Sequence, residues 1–257
     1  MTVPTGAGRT GHRVSRLAPN GARVAVKVLH ASPDVWSGEH TKFLREVEVA
    51  KRVPSFATAP VLDVGTEGDV AYIVSEYVDG PSLETLVRGG DPMGPDSLTR
   101  LALWTATALR GIHSAGVVHR DFKPANVLLA TDGPRVIDFG ISKALDHLRT
   151  TTQGIQGTPI YMSPEQVSGQ AVGPASDVFS WAATMYFAAT GRSPFDASTA
   201  PAVFYKVMHH QPDLSVLPPA LRPHLARCFS RNPAYRPQAM ELVMAISGGG
   251  TGTAGKA

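Results

Sequence analysis

A chain of 257 residues with 43% hydrophobic and 18% charged residues can bury a substantial core, and its ordinary composition excludes disorder throughout. Its most apolar stretch, Trp181 to Ala189, is too short to cross a bilayer, and the N-terminus lacks a basic-then-apolar leader, so a soluble cytoplasmic protein without a membrane segment is expected. The net charge of +3 is carried on dispersed basic residues, which argues against a nucleic-acid partner, and the single cysteine, Cys228, flanked by Leu225 and Phe229, is expected to be packed.

In chain order, Gly6-Ala7-Gly8-Arg9-Thr10-Gly11 is a G-x-G-x-x-G pattern whose missing side chains let backbone N–H groups approach phosphates. Only five residues precede it and a strand-like run follows, which does not suit the strand-then-helix setting of dinucleotide binding. Arg23 to His30, RVAVKVLH, alternates as a β-strand. Thr41 to Arg52 predicts a helix on which Glu46 shares the face of Phe43 and Ala50, whereas Glu48 falls with Arg45, Lys51 and Arg52 on the charged side. Pro60 to Gly65 and Val70 to Val78 read as strands around a Thr66-Glu67-Gly68-Asp69 turn.

From Asp79 the pattern becomes helical. Ser82 to Val87 predicts a short helix, and Ser97 to Ser114 a longer amphipathic one with Gly116 as its stop; Trp104 and His113 within it read as scaffold. Asp177 to Thr190, bracketed by Pro174 and Gly191, is the most apolar helix candidate and is expected to run through a core. Leu221 to Phe229 and Gln238 to Ile246 predict further amphipathic helices, and the glycine-rich 248–257 a disordered tail. His209 and His210 lack companions at metal-ligand spacing, so no zinc site is expected.

The chemistry concentrates in HRDFKPANVLLATDGPRVIDFG, His119 to Gly140. It places His119, Arg120 and Asp121, then Lys123 and Asn126, and after a turn-rich interval Asp138, Phe139 and Gly140. This spacing resembles the catalytic and metal-binding loops of protein kinases, and the chain as a whole is similar to the bacterial eukaryotic-like (Hanks-type) serine/threonine kinases. Three more segments carry the likeness. Val24-Ala25-Val26-Lys27 is similar to the V-A-I-K strand, YIVSEYVDG resembles the hinge between lobes, and Tyr161-Met162-Ser163-Pro164-Glu165 resembles the A-P-E closure with Ser163 in place of alanine.

The resemblance implies an α+β, bilobal fold. A small β-rich lobe with a truncated first strand would occupy about 1–78 with the hinge, and a larger α-helical lobe 79–247. It implies ATP and Mg²⁺, or Mn²⁺, as cofactors, and serine or threonine hydroxyls of proteins as acceptors. Asp121 would act on the acceptor hydroxyl, Lys123 on the transferring phosphate, and Asn126 and Asp138 on the metal. Lys27, held by Glu46, would reach the α/β-phosphates. Gly6, Gly8 and Gly11 would cover the phosphates, and Ala25, Leu128 and the backbone at Glu76 and Val78 would address the adenine. Arg120 would pair with phosphate on an activation loop containing Thr150, Thr151 and Thr152, and Thr158 would tie the catalytic loop to the peptide-binding segment. His119, Phe139, Gly140, Glu165, Asp177 and Arg236 would hold the frame: Arg236 by pairing with Glu165, Asp177 by anchoring the catalytic loop, although capping its own helix is an equally ordinary role for it. A monomer or transient homodimer is expected. The rival expectation is a pseudokinase acting as a nucleotide- or partner-binding regulatory module, because little chain precedes Gly6 and Arg13 stands where the family has valine.

Overall fold

The computed structural model describes residues 13–18, 21–30, 47–67, 70–139 and 159–248. Four strands, β1 (Arg13–Leu17), β2 (Arg23–His30), β3 (Val61–Glu67) and β4 (Val70–Glu76), form an antiparallel sheet in the order β1-β2-β4-β3. Register sets the faces. Ala25 lies opposite Ser75 and Lys27 opposite Ile73, so Lys27 shares the sheet face of the buried Ala71 and Ile73. Of the predicted 41–52 helix, residues 47–52 are described: 47–50 are helical and 51–52 are already a turn, two residues short of the expected end; Val47 and Ala50 are buried, and exposed Glu48 accepts from Lys51 at 2.7 Å.

The chain then enters a helical lobe: α1 (Leu83–Gly89), α2 (Pro95–Ser114), α3 (Pro164–Val167), α4 (Pro174–Thr190), α5 (Ala200–His209), α6 (Arg222–Cys228) and α7 (Ala239–Gly248). Ser82 caps α1 by accepting the Thr85 N–H at 3.1 Å. Gly80 stands where the connection passes the Leu129 carbonyl, and a Cβ there would overlap that oxygen. Gly80→Ala is therefore expected to cost about 1–3 kcal/mol, read as a lowered urea midpoint at unchanged m.

Helix α4 is the axis of this lobe. It is buried on nearly all sides, Phe179, Trp181 and Met185 included, as its uniformly apolar sequence predicts. Gly191 ends it in the left-handed conformation at φ 72°. The indole of Trp181 donates to Thr105 of α2 at 2.8 Å, and Phe179 packs with Phe195 and Phe229 at ring separations of 5.4 and 5.5 Å. Cys228 is fully buried beside them, and burial raises its thiol above the usual range, so it is a packing residue. Among the described residues no helix is long and apolar enough to cross a membrane.

Besides the short α3, two features go beyond the sequence reading. The interval after Asn126 is a hairpin, β5 (Val127–Ala130) with β6 (Gly133–Val136), and α5 is an additional helix whose Thr199 cap accepts the Ala202 N–H at 3.4 Å. Helix α7 also runs to Gly248, one residue into the expected tail.

Candidate active site

The β5–β6 hairpin determines which residues meet. Pairing Val127 with Val136 brings Asn126 and Asp138 to the same open end, and the Ile137 N–H donates to the Asn126 carbonyl at 3.0 Å. Two further backbone bonds fasten the hairpin: Leu129 N–H donates to Pro81 in the connection between lobes, and Val136 N–H to Ala57 ahead of β3.

Before the hairpin, Arg120 adopts φ 67° and after it Asp138 adopts φ 62°; among the described residues these are the non-glycine positions in the left-handed region. The Arg120 strain is held from both sides. Asp177 accepts the Arg120 N–H at 2.7 Å with one oxygen and the His119 N–H at 2.8 Å with the other, while the Gln166 side chain donates to the Arg120 carbonyl at 2.7 Å. The His113 imidazole donates to the same Asp177 carboxylate at 2.8 Å. Asp177 thus anchors the loop; α4 starts from Gly173, so capping is not its role.

His119 is fully buried and joins the two loops. Its Nε2 donates to the Ile137 carbonyl at 3.1 Å, and its Nδ1 accepts the Asp121 N–H at 3.4 Å. Burial lowers its pKa against the pull of Asp177, Asp121 and Asp138, which keeps the ring neutral and able to accept at Nδ1.

Asp121 reaches toward solvent with its side chain 47% exposed. Lys123 Nζ lies 2.9 and 2.7 Å from its two oxygens, and the Asn126 amide donates to its backbone carbonyl at 2.8 Å and its carboxylate at 3.2 Å. That orientation turns the Asn126 carbonyl oxygen away as a remaining acceptor. Lys27 Nζ stands 3.5 Å from Asp138. Leu128 is half-buried in β5 and Ala25 half-buried in β2, and Glu76 closes β4 with its N–H on the Pro60 carbonyl. Phe139 is buried in the core. Gly6, Gly8, Gly11, Glu46, Gly140, Thr150, Thr151, Thr152 and Thr158 lie outside the described residues.

Behind the loop, Arg236 and Glu165 form a bidentate pair at 2.6 and 2.9 Å with both side chains almost fully buried, and the Ser176 hydroxyl also donates to Glu165. Burial pushes the Glu165 carboxyl up, but the bonds from Arg236 and Ser176 outweigh it and leave it lowered. Glu165 and Gln166 are neighbours, so this pair fixes the same segment that holds the Arg120 carbonyl.

The family model for the protein kinase domain matches residues 3–245. The chain belongs to the protein kinase family. This kinase domain is 43% identical over 251 residues to a probable serine/threonine-protein kinase, PkwA, of Thermomonospora curvata, covering 96% of this chain and 33% of the relative. It is 40% identical over 245 residues to the serine/threonine-protein kinase AfsK of Streptomyces griseus, covering 93% and 30%, and 36% identical over 207 residues to PknB of Mycobacterium tuberculosis, covering 77% and 32%. The chain spans about a third of the length of these curated relatives.

The kinase domain's anchoring network also uses His113, which the sequence reading took for scaffold, and Gln166 and Ser176, which it passed over. Their signal was only positional, since a buried carboxylate with several donors is visible once helices α2 and α4 are packed. Asp177→Asn replaces an acceptor oxygen with an NH₂ group, leaving a buried donor of the loop unsatisfied. It is expected to destabilise the domain by about 1–3 kcal/mol in urea titration and to lower phosphoryl-transfer kcat at least tenfold through the released Arg120 conformation.

Proposed function

We propose that the chain transfers the γ-phosphoryl group of ATP to serine and threonine hydroxyls of proteins. The observation that carries this reading is the buried His119 ring, which ties the Asp121 backbone to the Ile137 carbonyl and so keeps the Asp121 loop beside Asp138.

Asp121 orients the acceptor hydroxyl and takes its proton as the hydroxyl oxygen bonds to the γ-phosphorus and the bond to the bridging oxygen of ADP breaks. Lys123, already against Asp121, offsets charge on the transferring group. Asn126 and Asp138 supply hard oxygen donors at one end of the hairpin, which suit Mg²⁺ and equally Mn²⁺; such ions use one or two protein groups plus phosphates rather than a full protein cage. Asn126 and Asp138 would hold such an ion, which would supply positive charge to offset that of the phosphates. Lys27, held by Glu46, contacts the α/β-phosphates; Gly6, Gly8 and Gly11 cover them; Ala25, Leu128 and the backbone of Glu76 and Val78 receive the adenine. Arg120 receives phosphate added to Thr150, Thr151 or Thr152 by autophosphorylation, and Thr158 links the acceptor segment to the loop. The enzyme acts in the cytoplasm as a monomer or transient homodimer, with protein substrates and no nucleic acid.

Acid hydrolysis of protein labelled from γ-labelled ATP is expected to release phosphoserine and phosphothreonine. Release of phosphotyrosine alone overturns the acceptor class.

A further inference from the structure

The peptide bond between Arg120 and Asp121 is held at both of its polar ends. Its carbonyl accepts from Gln166 Nε2 at 2.7 Å, and its N–H donates to Nδ1 of the buried His119 at 3.4 Å. The plane of this bond sets the direction in which the Asp121 side chain leaves the loop, and Arg120, at φ 67°, does not reach that plane by its own preference.

Gln166 can clamp the carbonyl only with its amide turned one way. Its Oε1 accepts the Ser163 N–H at 2.9 Å and the Ser163 hydroxyl at 3.1 Å, which leaves Nε2 facing Arg120. The opposite orientation would set donor against donor at the Ser163 N–H and oxygen against oxygen at Arg120. Ser163 is fully buried, which commits its hydroxyl to this contact, and it stands where the A-P-E closure has alanine, which has no hydroxyl to offer. Ser163 and Gln166 also have the S-x-x-Q spacing of a capping box at the start of α3. A box needs only an acceptor oxygen at its last position, and glutamate supplies that as well as glutamine; the donor that reaches Arg120 is what glutamine adds.

We propose that Ser163 and Gln166 are a positioning pair for phosphoryl transfer, in which Ser163 orients the Gln166 amide and the amide clamps the peptide bond that carries Asp121. The inference rests on the protein-kinase reading.

The test compares Gln166→Glu, Gln166→Leu, Ser163→Ala and the double variant Ser163→Ala with Gln166→Leu. It reads kcat per folded molecule on a generic protein substrate, KM for ATP and melting temperature. Gln166→Glu keeps the acceptor for Ser163 but sets an oxygen against the Arg120 carbonyl. Its melting temperature and KM for ATP are expected to stay near those of the wild type while kcat falls roughly tenfold, the effect of about one hydrogen bond. Gln166→Leu is expected to lose as much kcat and also to melt lower, because the box is gone. Ser163→Ala is expected to lower kcat about threefold in the wild-type background and to change nothing in Gln166→Leu, since the hydroxyl acts only through the amide. Wild-type kcat in Gln166→Glu, a rise in its KM for ATP that matches the loss of kcat, or an equal fall from Ser163→Ala in both backgrounds overturns the pair and leaves the kinase reading standing. A wild type that transfers no phosphate overturns the kinase reading itself.

Discussion

An Asp121→Asn enzyme is expected to lose about 10²–10⁴ in kcat while its KM for ATP and its stability stay near wild type. The size follows from what asparagine retains. Its carbonyl oxygen can still accept from Lys123 or Asn126, so the loop keeps much of its hydrogen bonding, and the half-exposed side chain lies where substitution changes stability by only about 0.5 kcal/mol. Its amide cannot take a proton from the acceptor hydroxyl. Steady-state kinetics with ATP varied, together with a urea titration, separates this loss from a folding defect. A variant with wild-type kcat would remove Asp121 from the proton transfer.

The second large effect is on stability. Arg236→Ala is expected to destabilise the domain by about 3–5 kcal/mol, because it leaves the Glu165 carboxylate buried with only the Ser176 hydroxyl as a side-chain donor. Arg236→Lys is expected to recover part of this, since lysine restores the charge but not two parallel bonds. The pH dependence has a definite sign. Glu165 is held below the ordinary carboxylate value, so its contribution is present above the unfolded carboxyl pKa of about 4.3 and is lost as pH falls through the folded value. In Arg236→Ala the burial that pushes the carboxyl up is no longer outweighed. The gap between wild type and variant is therefore expected to narrow below about pH 4, as checked by urea midpoints across the acid range.

The stretch from His119 to Gly140 was legible in the sequence because its residues carry chemistry at fixed short spacing, and the family match over nearly the whole chain agrees with that reading. The pairing of Glu165 with Arg236, 71 residues apart, was reachable only through the family resemblance, and the structure bears it out. What composition and periodicity could not reveal was the conformation of Arg120. Arginine has no preference for positive φ, and the two side chains that hold it there, Asp177 and Gln166, lie 57 and 46 residues away in sequence. His113 looked like scaffold because a histidine on a helix has many bland uses; its bond to Asp177 appears only when α2 packs on α4. The β5–β6 hairpin was hidden by Pro134, which suits an edge strand but weakens a strand pattern, and by its four-residue strands.

Asp121 and Asp138, joined through His119, are proposed to form a working phosphoryl-transfer site. Its most direct test is transfer of labelled γ-phosphate from ATP to a generic protein substrate with Mg²⁺ or Mn²⁺, wild type beside Asp138→Ala. Label is expected in protein with the wild type, and at least a hundredfold less with Asp138→Ala at equal folded concentration. No label from the wild type with either metal, or equal label from both proteins, would contradict it.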